Sequence, residues 1–301
     1  MKLANRVVVI TGAASGIGRA SARRFAGRGA VLHLVDIDGD GAERAALECG
    51  RLGSRAAWHV ADCRDAGAMR AVAAEVLERE ALIDVLFLNA GVGHGGPVAG
   101  MTLDDWHRVI DTNLYGAIHG LDAFLPAMLS QGPGGHILVT ASMLGLFALP
   151  SAAAYSASKH ALVALAEALR AELRASSVEV TALCPGLVAT DIIRRGQLTG
   201  LAIDRARVER MWQKRGASPD AVARVVIECV EKRRGGVRLA APSGTALWRL
   251  RRHAPALYER ALAAAARLTG GGGRPAGGAD GAGLPGSAAA PRRSGRPRAR
   301  A

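Results

Sequence analysis

The chain has 301 residues, half of them apolar, and a formal net charge of +13; that length buries one sizeable core of roughly 250 residues and leaves a second full domain cramped. Its four cysteines, Cys49, Cys63, Cys184 and Cys229, stand far apart with no Cys-x-x-Cys pair, which excludes a disulfide framework and a zinc site and points to the reducing cytoplasm. From Gly270 onward six arginines (Arg274, Arg292, Arg293, Arg296, Arg298 and Arg300) face one acid, Asp280, so the charge invites a nucleic-acid reading, but no aromatic residue stands among them for base stacking, which argues against a nucleic-acid partner.

The first six residues lead into a short apolar run, too brief for a signal peptide's core or a membrane span. Apolar runs then alternate with helical patterns. Residues 6–10 are followed by a helix over 16–27, residues 31–35 by one over 39–50, and residues 55–60 by one over 66–79, with a fourth buried run at 85–88. Strands without polar alternation, separated by helices of this length, belong to a parallel sheet covered on both faces. A helix around 105–130, a strand at 136–141, a long helix over 152–175 and a strand at 179–184 continue the pattern. An irregular insert over 190–216 precedes a helix at 219–232, with Ser218 as N-cap and Pro219 at the first helical position. A strand at 237–241 closes a seven-stranded sheet. The expected class is α/β, a doubly wound Rossmann fold with its ligand crevice at the carboxyl ends of the strands.

Directly after the first strand stands Thr11-Gly12-Ala13-Ala14-Ser15-Gly16-Ile17-Gly18. Its glycines allow a tight turn and close approach to a pyrophosphate, while the free N–H groups of the following helix face the anion. Asp36 ends the second strand, where a carboxylate accepts from the adenosine ribose hydroxyls and repels a 2′-phosphate. No basic residue occupies Ser15 or Ile37. NAD is therefore favoured over NADP, with Arg19 as the residue that keeps NADP open. Asp62, just past the third strand, is placed to meet the adenine amino group, or to serve as a turn aspartate.

Tyr155 and Lys159 lie four apart on the long helix and share one face. A tyrosine near its ordinary pKa of ~10 is a poor base at neutral pH, and a neighbouring ammonium favours the phenolate. Such a pair alone is an ordinary helix face. Ser142, at the carboxyl end of a predicted strand, gives it weight.

Taken in order, the glycine turn, Asn89-Ala90-Gly91, Asn113, Ser142, Tyr155 with Lys159, and Pro185-Gly186-Leu187-Val188-Ala189-Thr190 make the chain resemble the short-chain dehydrogenase/reductase family over about residues 5–241. The resemblance implies hydride transfer between a nicotinamide and an alcohol or ketone, with Tyr155 as general acid or base and Ser142 holding the substrate oxygen. Lys159 would bind the nicotinamide ribose and lower the tyrosine pKa, and Asn113 would anchor a relay water. Gly12, Ser15, Gly16, Ile17 and Gly18 would bind the cofactor together with Asp36, Asp62, Asn89, Ala90, Gly91, Pro185, Gly186, Val188 and Thr190. A homodimer or homotetramer follows from the same resemblance. Family members acting on acyl-carrier-protein substrates end in Val-Asp-Gly-Gly; here Leu239-Ala240-Ala241-Pro242-Ser243 stands instead, which argues against that role and its tetramer contacts.

The run 143–149 after Ser142 is almost entirely apolar and would line a pocket for an apolar alcohol or ketone, or pack as core. The insert would form the substrate lid. Arg194 and Arg195 within it would meet an anionic group or solvent, and His94 in its glycine-rich loop could reach the pocket. Three segments are expected: a catalytic domain over 1–242, an amphipathic helical extension over 243–269 that Pro255 divides, and a disordered Gly/Pro/Ala/Arg-rich tail over 270–301. The basic extension suits packing over the substrate lid or a partner subunit, with peripheral contact to an anionic membrane as the alternative.

Overall fold

A computed structural model describes residues 1–132, 134–199, 205–241 and 243–268. The tail from 270 onward and Pro242 lie outside them. Seven strands form one parallel sheet: β1 (Val7–Thr11), β2 (Val31–Asp36), β3 (Ala56–Val60), β4 (Val85–Leu88), β6 (Gly135–Thr140), β7 (Val178–Pro185) and β9 (Gly236–Ala240). Their order is β3-β2-β1-β4-β6-β7-β9, so the chain runs outward from β1, returns, and runs outward again from β4. The reversal between β1 and β4 opens the crevice at their carboxyl ends.

Helices cover both faces because alternate strand residues point to opposite sides. Val8 and Ile10 of β1 and Leu138 of β6 join a core with α1 (Gly16–Ala26), α2 (Gly39–Arg51) and α9 (Pro219–Glu231). Val9, Ile137 and Val139 turn the other way, into a core with α3 (Ala66–Arg79), α5 (Gly116–Ser130) and α6 (Ala153–Glu172). Ser218 caps α9 by accepting from the Ala221 N–H, with Pro219 at its start as expected.

Two expectations need correction. The helix expected around 105–130 is two helices. A capping box, in which Thr102 and Asp105 exchange side-chain-to-backbone hydrogen bonds, starts α4 at Leu103–Ile110. A π-helical turn over Asp111–Tyr115 then separates it from α5. The insert is also not irregular throughout: it holds a short helix α7 (Ile192–Arg195), a strand β8 (Gln197–Leu198) and α8 (Arg205–Arg215). β8 pairs in parallel with β5 (His94–Gly95), which joins the insert to the glycine-rich loop. The extension folds as α10 (Thr245–His253) and α11 (Pro255–Leu268), divided at Pro255. No helix among the described residues is long and apolar enough to cross a membrane.

Candidate active site

The site begins where β1 ends. Gly12 takes a left-handed backbone (φ +67°), and a Cβ there would lie 2.8 Å from the Ala90 Cα. A Cβ on Gly18 would stand 2.1 Å from the Gly12 carbonyl oxygen. The first turn of α1 therefore sits as close to the strand as backbone allows, and any side chain would fill the cradle. Ser15, at the helix N-cap, makes no capping bond of its own. On the far side the β7 loop reaches the same turn, since a Cβ on Gly16 would meet Thr190 Cγ2 at 3.2 Å. Free helix N–H groups in a space this narrow fit a diphosphate.

Asp36, at the end of β2, accepts from the Ala14 N–H (2.9 Å) and the Asp38 N–H (3.0 Å), which ties the strand end to the glycine turn. Arg19 is committed elsewhere: its guanidinium pairs with Glu48 on α2, with one bond of 3.1 Å. Asp62 is held by Arg64 at 2.6 Å, and this pairing keeps its carboxyl below the usual range. Its carboxylate thus already has a partner, and an adenine contact would have to share it.

Asn89 ties the β1 and β4 ends together. Its amide donates to the Thr11 and Gly12 carbonyls (3.1 and 3.2 Å), and its N–H and that of Ala90 donate to the Thr11 hydroxyl (2.9 and 3.2 Å). Thr140, the last residue of β6, donates its hydroxyl to Asn89 Oδ1 (3.1 Å), while its carbonyl accepts from Lys159 Nζ (2.8 Å). Thr140 is a structural partner that motif reading passed over, and Thr11, quoted at the head of the glycine turn, had no role assigned. Their signal was a polar residue at the end of a buried strand.

The π turn explains Asn113. The extra residue swings its side chain inward, where Oδ1 accepts from the Val92 N–H (2.7 Å) and Nδ2 donates to the Val92 carbonyl (3.1 Å) and the Ser158 hydroxyl (3.0 Å). A Cβ on Gly91 would lie 3.1 Å from Asn113 Oδ1 and 3.4 Å from Lys159 Nζ. Asn113 and Lys159 therefore converge on one spot against the Gly91 backbone.

Ser142 opens a tight turn just past β6 and accepts from the Leu144 N–H (3.1 Å). Tyr155 is half-buried in the first turn of α6, with the Ser142 hydroxyl close enough to act on its phenol. Lys159 Nζ is 5.6 Å from the tyrosine ring centre. Burial pushes the phenol above its usual range, and the Ser142 hydroxyl partly offsets that. Burial also brings Lys159 down to about 8. Desolvation thus dominates both groups, and the proton stays on Tyr155 at neutral pH.

Of the β7 loop, Gly186 donates its N–H to the Ala240 carbonyl (2.9 Å) beside Pro185 at the strand end. The Val188 carbonyl accepts from the Thr190 N–H (2.8 Å) and the Trp212 indole on α8 (2.7 Å). His94 is buried next to Asp105 (3.6 Å) and the Thr199 hydroxyl (3.3 Å). Arg194 pairs with Asp191 (2.8 Å).

The fold and site define a dinucleotide-binding α/β protein with a serine, a tyrosine and a lysine gathered at the strand ends. The model of the short chain dehydrogenase family matches residues 6–198, and the chain belongs to that family. It is 34% identical over 269 residues to the probable oxidoreductase EphD of Mycobacterium tuberculosis, covering 87% of this chain and 45% of that protein. The chain thus spans under half the length of that relative. Dehydrogenase/reductase SDR family member 7B of Bos taurus is 34% identical over 271 residues, covering 87% of this chain and 82% of that one. Both shares are too large to end before α11, which begins at Pro255. A solved short chain dehydrogenase/reductase from Burkholderia phymatum, in complex with NAD, superposes with a TM-score of 0.79 at 33% identity, covering 85% of this chain and 96% of that one.

Proposed function

We propose that the protein interconverts a secondary alcohol and a ketone with NAD(H), the substrate being apolar and of medium to large size. The observation that carries this reading is the convergence of Ser142, Tyr155, Lys159 and Asn113 next to the Gly12–Gly18 cradle. The bound dinucleotide would supply or accept the hydride at its nicotinamide carbon. Gly12, Ser15, Gly16, Ile17, Gly18 and Thr190 would hold its diphosphate, Asp36 its adenosine ribose, and Val188 its carboxamide end. The NAD bound by the Burkholderia phymatum relative supports the choice of cofactor. So do the carboxylate of Asp36 and the engagement of Arg19 with Glu48, which leaves that arginine poorly placed to take a 2′-phosphate.

In ketone reduction Tyr155 gives its proton to the carbonyl oxygen; in alcohol oxidation the phenolate takes it back. Ser142 holds that oxygen by a hydrogen bond and fixes its distance to the phenol. Lys159, charged below about pH 8, positions the ribose and steadies the phenolate as it forms, and Asn113 holds the water behind it. Because burial raises the tyrosine pKa, reduction is the direction served at neutral pH, and oxidation gains as pH rises.

Two or four copies are the expected assembly, and the exposed Tyr115, Ile118 and Leu129 along the π turn and α5 offer it an apolar surface. Any peripheral membrane contact would fall to the exposed arginines Arg249, Arg252 and Arg260. The test is a series of secondary alcohols and ketones of increasing size, each with NAD(H) and NADP(H) side by side. Turnover of apolar members with NAD(H) is the expected result. A strong NADP(H) preference would overturn the reading of Asp36.

A further inference from the structure

The twelve residues between Ser142 and Tyr155 connect the two groups that would meet the substrate oxygen, and they cross the gap with a single bridge, Ala152 to Gly96 near the far end, as their β pairing. The first part is held by the catalytic domain. A Cβ on Gly145 would stand 2.5 Å from the Lys159 carbonyl, so the turn over Met143–Gly145 is pressed against α6. The next part is held from the C-terminal extension. The Tyr258 hydroxyl accepts from the Ala148 N–H (2.9 Å) and donates to the Ala148 carbonyl (2.8 Å), satisfying both backbone groups of one residue as a neighbouring strand would. Arg251 donates to the Leu146 carbonyl (2.6 Å) and to His160 Nε2 (2.7 Å).

That second bond fixes the histidine. His160 Nδ1 lies 2.8 Å from the Ser156 carbonyl, which can only accept, so Nδ1 carries the proton and Nε2 is free to accept from the arginine. His160 follows Lys159 on α6. One guanidinium thereby links the loop behind Ser142 to the helix that carries Tyr155 and Lys159. Met143, Phe147 and Tyr258 are buried together, with Leu247, Trp248, Leu250 and Leu262 packed on them. These five residues of the extension's apolar stripe cover the loop, while Leu257 stays exposed.

We propose that α10–α11 act as a positioning brace for the catalytic loop, with Tyr258 fixing Ala148 and Arg251 locking Leu146 to α6 through His160. The inference rests on the reading of Ser142 and Tyr155 as the groups that handle the substrate oxygen. A brace differs from a merely structural appendage in what it controls. Loss of the Ala148 bonds lets the segment from Ser142 drift while the glycine cradle, on the other side of the crevice, keeps its shape.

The experiment uses the full chain in four forms: wild type, Tyr258→Phe, Arg251→Ala and Arg251→Lys, with Tyr155→Phe as reference. Tyr258→Phe keeps the packed ring and removes only the hydroxyl. Arg251 is exposed, so its variants test the brace even where Tyr258→Phe folds poorly. The readouts are kcat and KM for a turned-over alcohol across pH, and NADH affinity by fluorescence. The brace predicts that Tyr258→Phe lowers kcat by about 10- to 100-fold, with NADH affinity within about twofold of wild type. The pH limb for oxidation should move upward, because Ser142 is the group that lowers the tyrosine pKa. Arg251→Ala should show the same signature more weakly, and Arg251→Lys, which retains one donor to Leu146, should recover part of it. Unchanged kcat and pH profile in both Tyr258→Phe and Arg251→Ala, while Tyr155→Phe abolishes turnover, overturns the brace alone. A parallel loss of NADH binding overturns it too, since the defect would then be global. Turnover that survives in Tyr155→Phe overturns the underlying assignment instead.

Discussion

The two ends of the crevice are built in different ways. At the cofactor end the shape is made by backbone: Gly12 and Gly18 leave no room for a Cβ, and Asn89 and Thr11 stitch adjacent strand ends through main-chain groups. At the substrate end the shape is made by side chains from distant parts of the chain, since Ala148 is held by a tyrosine 110 residues away. The first kind of site tolerates almost no change at its glycines, which pack against the fixed backbone of neighbouring strand ends. The second can be retuned from outside, and its failures should spare cofactor binding.

Variants at the two ends should therefore fail differently. The largest effect belongs to Gly18→Ala, whose methyl would overlap the Gly12 carbonyl; NADH affinity, measured by fluorescence titration, should fall by about 100-fold or more. Retained affinity would mean that the cradle is softer than its contacts imply. Ser142→Ala should instead lower kcat by about 100-fold, within the range of a lost proton-transfer partner, with NADH affinity intact. Its oxidation limb should also shift to higher pH, since the hydroxyl that lowers the Tyr155 pKa is gone. Loss of NADH binding in this variant would erase the distinction between the two ends. Asp36→Asn, which keeps an acceptor for Ala14 and removes the charge, should narrow the preference for NADH over NADPH by about tenfold, a cost near 1.4 kcal/mol. An unchanged ratio would assign cofactor choice to another residue.

The sheet that carries both ends responds to pH. His136, fully buried on β6 against the Thr181 hydroxyl (2.7 Å), is pulled down to about 3 by desolvation. A histidine that must stay neutral when folded costs nothing above its unfolded pKa near 6.5. Below that, the unfolded state takes up the proton first, and stability falls as pH drops from about 6.5 toward 3. Urea unfolding at pH 7.5 and pH 5 should differ by on the order of 2 kcal/mol from this residue, and His136→Gln should flatten the slope. A slope unaffected by that substitution would place the acid sensitivity elsewhere, with the His33–His59 pair as the next candidate.

Much of the cofactor end was legible in the sequence because its constraints are local. A glycine turn between a strand and a helix is written in consecutive residues, and each sheet strand falls within one residue of its expected place. The π turn was not legible. Asn113 is drawn inward by Val92, 21 residues earlier, and no periodicity within 105–130 records that pull. The insert read as irregular because α8 is mostly charged, which hides its helical pattern. The extension could be read as two amphipathic helices divided at Pro255, and its apolar stripe suited packing over a lid or a subunit better than a membrane, but the sequence did not say which surface it covers. Only the fold brings Tyr258 and Arg251 to the loop behind Ser142. The opposing shifts of Tyr155 and Lys159 were hidden for a related reason, since their spacing predicts proximity while burial decides the charge.

The assignment of Tyr155 as the proton-transfer residue is tested most directly by Tyr155→Phe, with turnover of a secondary alcohol and NADH affinity measured on the same preparation. The account predicts a fall in kcat of about 1,000-fold or more with NADH affinity near that of wild type. Retention of most of the turnover by the phenylalanine variant would contradict it.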